Sequence, residues 1–270
     1  MTNSETAIDS YRSTDDLVVA LRDGVLSVTL NRPDSLNSLT AAMLDAIGDT
    51  CERAADDPQV RVVRLGGAGR GFSSGAGISA EDHANAGGHD ETLHAANRAV
   101  RSIVALPKPV VSVVHGPAAG VGVSLALAAD VIVASEKAYF LLAFTKIGLM
   151  PDGGASALVA AAIGRVRAMR MALLAERLSA ADAFAAGLVS AVYADDDLVA
   201  EANEVIERLK SGPAAALRRT KQAINAATLT ELDGAFDRET EGQLTLLSSH
   251  DFREGTTAFQ QRRPATFTDD

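Results

Sequence analysis

The sequence predicts an α/β fold, and three observations support this prediction. Two apolar runs of alternating polarity are joined by Asp23-Gly24, which is a strong signal of a β-hairpin. Short apolar strand patterns then alternate with helical patterns as far as about residue 155, which is typical of a sheet covered by helices. Beyond that point nearly every segment has a helical pattern. A chain of 270 residues with this order is expected to form an α/β core followed by a helical region.

The first half of the chain supplies most of the predicted strands. After the hairpin, Arg32-Pro33 ends the second strand, and Thr40 is a suitable N-cap for a helix with one apolar stripe. Further strands are predicted at VRVVRL (60–65), VVSVV (110–114), VIVAS (131–135) and AYFLL (138–142), and helices at 92–106 and 123–129.

The second half of the chain is predicted to be helical apart from a short strand in VSAVY. Gly212-Pro213 separates two of its helices, and its last stretch, 251–267, is amphipathic. We therefore expect a flexible N-terminal tail at residues 1–15, an α/β core at 16–200 and a helical C-terminal region at 201–270.

Charge and composition argue against several classes of function. The formal net charge of −10 disfavours a general nucleic-acid surface. The single cysteine permits no internal disulfide, and His83, His89 and His94 match no compact metal motif, so no metal site is expected. The polar N-terminus lacks the features of a signal or transit peptide, and no apolar run is long enough to cross a membrane. These features predict a cytoplasmic protein without nucleic-acid or membrane partners.

The stretch GRGFSSGAG (69–77) permits two interpretations. Its central residues fit G-x-S-x-G, the nucleophile elbow of serine hydrolases, with Ser73 as the nucleophile. An elbow needs a strand that runs directly into it and a helix directly after it. Here the predicted strand ends at Leu65, and the residues after Ser73 begin a helix poorly. We favour the second interpretation, a turn whose main-chain N–H groups bind a substrate oxygen.

A second glycine-containing loop, at 115–122, supports the main-chain interpretation. It follows the strand VVSVV, just as the first loop, at 66–78, follows VRVVRL. Loops after neighbouring parallel strands lie at the same end of a sheet. Two converging N–H groups would form an oxyanion hole, which stabilises the negative charge of a transition state. Spacing alone leaves open the alternative that these glycines only make turns.

Seven segments, taken in order, resemble those of the crotonase (enoyl-CoA hydratase/isomerase) superfamily. They are LNRPDSLNSL, GAGRGFSSGAGIS, KPVVSVVHGPAAGVGVSLALAADVIVAS, FTKIGLMPDGGAS, LSAADAFAAGLVSAV, SGPAAALRRTKQAIN and DFREGTTAFQQRRPATF. The resemblance covers nearly the whole chain. It implies a crotonase-like spiral of ββα units with a helical C-terminal trimerisation region, assembled as a trimer or a dimer of trimers. It also implies an acyl-CoA thioester substrate and no cofactor besides the coenzyme A of that substrate.

The resemblance assigns residues of both glycine-containing loops to the substrate site. The thioester oxygen would lie between the backbone N–H groups of Ala76 and Val121. Val121 stands where the family usually has glycine, a change of little consequence if only its N–H is used. Further residues that the resemblance assigns to the substrate site are Ser74, Gly77, Ile78, Gly120 and Phe144.

Three basic residues are implied at the charged end of CoA. They are Arg32 after the hairpin, Arg70 in the first loop, and Arg262, which a neighbouring subunit would contribute. The alternative for each is a solvated surface charge.

The positions of carboxylates distinguish the reactions of this family. A hydratase holds a water molecule between two carboxylates, and the resemblance puts that pair at Ser124 and Phe144, neither of which can transfer a proton in that role. Asp152 instead resembles the proton-shuttling acid of double-bond isomerases. The apolar neighbours Leu149 and Met150 are expected to raise its pKa. The alternative is that Asp152 only caps the helix that follows it.

The sequence leaves three functions open. We favour an enoyl-CoA isomerase that uses Asp152 as its proton shuttle. The second is an enoyl-CoA hydratase whose second carboxylate comes from elsewhere in the chain. The third is a CoA-ester-binding protein with little activity, which the missing carboxylate pair suggests. The sequence does not indicate the acyl group, whose pocket should be shaped by loop 79–92.

Overall fold

The computed structural model of the chain describes residues 11–77 and 89–268. Within these ranges there are nine strands and nine α-helices. The strands are β1 (Leu17–Arg22), β2 (Val25–Leu30), β3 (Val62–Gly67), β4 (Val110–Val114), β5 (Pro117–Ala119), β6 (Val131–Ser135), β7 (Tyr139–Leu141), β8 (Leu178–Ser179) and β9 (Ala191–Tyr193). The helices are α1 (Ala41–Asp56), α2 (His89–Ala105), α3 (Val121–Leu127), α4 (Ala155–Leu174), α5 (Ala180–Ala186), α6 (Leu198–Ser211), α7 (Ala214–Thr228), α8 (Leu232–Leu247) and α9 (His250–Gln260).

The main sheet has six strands in the order β1-β2-β3-β4-β6-β9. β1 and β2 pair antiparallel, and each of the other neighbours pairs parallel. The predicted hairpin is confirmed: Asp23 and Gly24 both have positive φ (47° and 76°), as a two-residue turn between twisted strands requires. Because β3 and β4 run in parallel, both glycine-containing loops leave the sheet at the same edge.

Strand β3 ends at Gly67, two residues later than the sequence predicts. It continues because Gly66 and Gly67 pair with the last two residues of β2. A Cβ atom at Gly67 would lie 2.6 Å from the carbonyl oxygen of Phe72, so glycine is needed for the loop to fold back over the strand end.

Helices cover both faces of the main sheet. The apolar stripe of α1, which begins at the predicted N-cap Thr40, packs into the larger part of the core together with α2. On the opposite face, α6 packs through Leu198, Ala202 and Ile206 against valines of β3, β4 and β6. Successive residues of β3 therefore point into different layers, as the period of two in a strand requires.

A small second sheet carries the chain from β4 into the site region. Its order is β5-β7-β8, with β5 and β7 parallel and β8 antiparallel to β7. β5 lies directly before α3, and the 3₁₀ helix Phe144–Ile147 follows β7. The α/β class predicted from the sequence is confirmed.

The segments at both ends of the described chain pack against its body. Tyr11, in the segment that the sequence predicts as a flexible tail, is 2% exposed, and its hydroxyl donates to Asp57 (2.9 Å). In the C-terminal region, α9 packs on the 3₁₀ helix, where a Cβ atom at Gly255 would lie 2.5 Å from the Cα atom of Ile147. No helix in the described part of the chain is long and apolar enough to span a membrane.

Candidate active site

Ser73, the candidate nucleophile of the first loop, is completely buried and hydrogen-bonded. Its hydroxyl donates to the carbonyl oxygen of Asn37 (2.9 Å) and accepts the N–H of Gly75 (3.1 Å). A Cβ atom at Gly122 would lie 2.8 Å from the Cβ atom of Ser73, so the two loops touch at this point. Ser73 anchors the loop and offers no free hydroxyl, in agreement with the main-chain interpretation.

Amides near Ala76 are hydrogen-bonded to an earlier segment of the chain, whereas that of Ala76 is not. The N–H of Ser74 donates to Leu36 (2.8 Å), and that of Gly77 donates to Leu39 (3.1 Å). The hydroxyl of Ser74 donates to the carbonyl oxygen of Ser35 (2.9 Å). Across the described residues, the N–H of Ala76 has no acceptor. It is therefore an amide of this loop that is available to a ligand oxygen.

The second loop presents Val121 in the same way. The amides of Ala119 and Gly120 donate to carbonyl groups of the first loop and of β7, both at 2.9 Å. The amides of Val121 and Gly122 begin α3, and neither has an acceptor in the part of the chain that is described. Gly122 is pressed against Ser73, which leaves Val121 as the candidate donor of this loop.

Gly75 and Gly120 precede the two unbonded amides and lie against each other. A Cβ atom at Gly75 would lie 3.4 Å from the Cα atom of Gly120, and one at Gly120 would lie 3.6 Å from the Cα atom of Gly75. Both have positive φ (92° and 52°), which glycine tolerates best. Since the amides of Ala76 and Val121 follow directly, these two amides start from adjacent points of the backbone.

Asp152 lies in a tight turn that packs on α3. The turn depends on Gly153 and Gly154, which both have positive φ (64° and 78°). The hydroxyl of Ser124 donates to the backbone carbonyl of Asp152 (3.0 Å). A Cβ atom at Gly153 would lie 3.7 Å from Cγ1 of Val121. The turn thus holds Asp152 beside the helix that begins with the second unbonded amide.

The side chain of Asp152 does not cap α4, the alternative role that the sequence left open. That role belongs to Glu239 of α8, which is 1% exposed. Its carboxylate accepts the N–H groups of Gly154 (2.6 Å) and Ser156 (2.8 Å). The helix start is satisfied without the carboxylate of Asp152, which leaves that group available for chemistry.

Gln243, also on α8, contacts Asp152 directly, and sequence reasoning missed both it and Glu239. Its Nε2 donates to Oδ2 of Asp152 (2.7 Å), and its Oε1 accepts the N–H of Met150 (3.2 Å). The two residues are four apart in ETEGQ and therefore share one helix face. That spacing was the available signal, but the turn it meets lies 91 residues earlier in the chain.

Burial raises the pKa of Asp152 from 3.8 to about 7. The negative charge of Glu239 also raises this pKa, whereas the hydrogen bond from Gln243 opposes the rise. The pKa of Glu239 is itself raised by burial, against the effect of the N–H groups that it accepts. Near neutral pH, Asp152 can therefore both accept and release a proton, which is the property of a general acid–base catalyst.

Ser124 and Phe144, where the resemblance puts the hydratase carboxylates, are both buried. The hydroxyl of Ser124 is used on the backbone of Asp152. The ring of Phe144 lies against Gly120, since a Cβ atom added there would be 3.7 Å from its Cζ atom. It forms an apolar wall beside the second loop.

The three predicted CoA-binding arginines are in different settings. Arg32 donates through Nη1 to the carbonyl oxygen (3.0 Å) and the hydroxyl (2.9 Å) of Ser38. Arg70, in the first loop, and Arg262, after α9, are exposed.

Ile78, also predicted at the substrate site, lies outside the described residues. Among the described residues there is no group of three or more His, Cys, Asp or Glu that could hold a metal ion.

The sequence matches a family model and several known proteins. Residues 21–270 match the family model of enoyl-CoA hydratase/isomerase. The chain is 37% identical over 249 residues to 1,2-epoxyphenylacetyl-CoA isomerase of Escherichia coli, covering 91% of this chain and 95% of that protein. It is 38% identical over 250 residues to a probable enoyl-CoA hydratase of Rhodobacter capsulatus, covering 92% and 96%.

A similar solved structure supports the fold. It is that of an enoyl-CoA hydratase from Mycobacterium avium subsp. paratuberculosis, with 66% identity and a TM-score of 0.89. The match covers 94% of this chain and 99% of that one. The names of these relatives include both isomerase and hydratase, so they leave the reaction of this chain open.

Proposed function

The chain belongs to the enoyl-CoA hydratase/isomerase family, and from this premise we propose that it shifts the double bond of an acyl-CoA thioester. The observation that carries the proposal is the buried carboxyl group of Asp152, held in a turn that packs on the helix beginning with Val121. A hydratase needs a second carboxylate to activate water. The two matching positions, Ser124 and Phe144, have none.

The chemistry of an isomerase suits one carboxylate. In a 3-enoyl-CoA, Asp152 as carboxylate takes a proton from the carbon next to the thioester carbonyl, and the electron pair moves into the carbonyl as an enolate. The N–H groups of Ala76 and Val121 stabilise that oxyanion. The same carboxyl group then returns the proton two carbons further along, so the double bond moves and the carboxylate is regenerated. A pKa of about 7 suits both half-steps.

Incubation of a 3-enoyl-CoA in heavy water tests the proposed reaction. The expected product is the 2-enoyl-CoA, formed by proton transfer with no net addition of water. Hydration of a 2-enoyl-CoA to its 3-hydroxy derivative at a comparable rate would contradict the proposal and favour a hydratase. Binding of both thioesters without turnover would favour a CoA-ester-binding protein.

The similarity to an isomerase, 37% identical over 91% of this chain, supports this choice. The similarity to proteins named as hydratases is of comparable strength. The choice between isomerase and hydratase therefore depends on Ser124 and Phe144, which match the positions of the hydratase carboxylates and have no carboxyl group.

We propose that Arg70 and Arg262 contact the charged end of CoA, with Arg32 nearby. Both are exposed, and Arg70 belongs to the loop that carries Ala76. Arg70→Gln is expected to raise KM for an acyl-CoA roughly two- to fivefold, the effect of one exposed ion pair, with kcat unchanged. Steady-state kinetics measure this. Arg22→Gln, at the opposite end of the sheet, is the matched control. An unchanged KM for Arg70→Gln would contradict the contact.

We also propose that the chain self-associates as a trimer or a dimer of trimers. On α4, Val166 and Leu173 lie two turns apart and are 80% and 63% exposed, and Phe184 of α5 is 54% exposed. Exposed apolar surface of this kind marks a protein interface. Leu173→Glu is expected to lower the sedimentation mass, whereas a monomeric wild-type protein at micromolar concentration would contradict the proposal.

A further inference from the structure

We propose that Gln243 is a positioning residue, which holds one oxygen of Asp152 so that proton transfer takes place at the other oxygen, Oδ1. The inference rests on the proposed function, because it concerns the carboxyl group that carries the proton. It adds a residue from α8, a helix distant in sequence from both glycine-containing loops.

The contacts of Gln243 fix which end of its amide faces Asp152. The side chain is 2% exposed, so solvent does not compete for it. A backbone N–H can only donate, and the N–H of Met150 is 3.2 Å from Oε1. The carbonyl end must therefore face Met150. The NH₂ end then faces Asp152 and donates to Oδ2 at 2.7 Å.

This orientation makes the two oxygens of Asp152 unequal. Oδ2 accepts a short hydrogen bond from a group that cannot accept a proton in return. The hydroxyl oxygen of a carboxylic acid is a weaker acceptor than its carbonyl oxygen, so the bond favours protonation at Oδ1. Oδ1 is buried and has no partner among the described residues. It is thus the oxygen left to exchange a proton with a substrate carbon.

Helix α8 holds the backbone around Asp152 as well as its side chain. Gln243 bonds to Met150 on one side of the turn, and Glu239, one helical turn earlier, bonds to Gly154 on the other side. Between them, Asp152 has little freedom to rotate Oδ2 into the place of Oδ1. A catalytic group held on both sides keeps its geometry through the reaction.

The variant Gln243→Met tests the proposal, because methionine has a similar size and no donor. Loss of the hydrogen bond is expected to raise the pKa of Asp152, since that bond lowers it. The ascending limb of the pH–rate profile should move to higher pH, with kcat at neutral pH lowered about tenfold per pH unit moved. KM should stay unchanged. Of the charged groups on the elements around Asp152, Glu239 is the one that acts on its pKa, and it is retained.

Gln243→Glu is a second variant, in case the first does not fold. It keeps an oxygen for the N–H of Met150 and replaces the donor by a second carboxyl group, so the pH–rate profile should move further in the same direction. Gln222→Met, on an exposed position of α7, is the matched control and should leave kcat and the profile unchanged.

Infrared pH titration separates this proposal from the proposed function. Difference spectra against Asp152→Asn isolate the carboxyl band of Asp152, whether or not the protein isomerises the thioester. A higher midpoint in Gln243→Met supports the positioning role even if the wild-type protein is inactive. Inactivity of the wild type would contradict only the proposed function. An unchanged midpoint and an unchanged pH–rate profile in folded Gln243→Met would overturn the inference.

Discussion

Replacing Asp152 with Asn is expected to lower kcat for double-bond isomerisation by roughly 10²- to 10⁴-fold, the usual contribution of a positioned acid–base group. The amide has nearly the same shape and can still accept the hydrogen bond from Gln243, but it cannot take up the proton of the substrate. KM for a 3-enoyl-CoA should change little. Both constants are measured by steady-state kinetics, with Asp196→Asn, at an exposed position, as the matched control.

Retention of wild-type kcat in Asp152→Asn would contradict the assignment of Asp152 as the proton carrier.

The stability of the same variant shows whether it is folded, and the pKa shift predicts how the stability of the wild type changes with pH. The pKa of Asp152 is raised from 3.8 to about 7 in the folded state. Folding is therefore favoured by this group at low pH, and that contribution is lost as the pH rises through about 7.

The lost contribution corresponds to about 4 kcal/mol in the free energy of unfolding above pH 7, for a rise in pKa of this size. Asp152→Asn has no charge to bury, so it should gain stability relative to the wild type between about pH 4 and about pH 8. Urea unfolding of both proteins at these two pH values measures the difference in their free energies of unfolding. A variant that loses both activity and stability at high pH would indicate misfolding.

Replacing Gly120 with Ala is the second substitution with a large expected effect. Gly120 has φ 52° and ψ −130°, a conformation that a residue with a Cβ atom adopts only with strain. The added methyl group would meet its nearest neighbours at 3.6 and 3.7 Å, which is ordinary contact, so the effect comes from the backbone. Relief of the strain would rotate the peptide that carries the N–H of Val121. Loss of one oxyanion donor lowers kcat by roughly 10²- to 10³-fold.

Gly164 offers a matched control for this substitution. It also has a positive φ (76°), and no atom of the described structure lies within 4 Å of a Cβ atom added there. Gly164→Ala should cost a similar roughly 1–3 kcal/mol of stability and leave kcat unchanged. Equal activity of the two variants would mean that Gly120 has no role in directing the amide of Val121.

Much of the fold was predictable because its signals are local. Asp23-Gly24 predicts a two-residue hairpin whatever surrounds it, and the structure has that hairpin. Parallel strands with glycine-containing ends predict two loops at one edge of the sheet, and β3 and β4 meet that prediction. The end of β3 was predicted two residues too early, because glycine is a poor strand former unless a partner strand holds it.

Which amides remain unbonded could not be read from the loops themselves. The N–H of Gly77 donates to Leu39 and that of Ser74 donates to Leu36, and both acceptors belong to a segment well before the loop. Ser73, which looked like a nucleophile in the sequence, accepts the N–H of Gly75 and so helps to leave the next amide free. The family resemblance named Ala76 and Val121, and neither of these amides has an acceptor among the described residues.

The sequence by itself determined the α/β class, the hairpin, the pair of glycine-containing loops and the candidate acid, because each depends on residues close together in the chain. Only the tertiary structure decided the chemical state of that acid. Its raised pKa depends on burial, and its orientation depends on Glu239 and Gln243 of a helix far along the chain. Electrostatic and hydrogen-bond effects act over a few ångströms in space, so a linear sequence cannot specify them until the chain has folded.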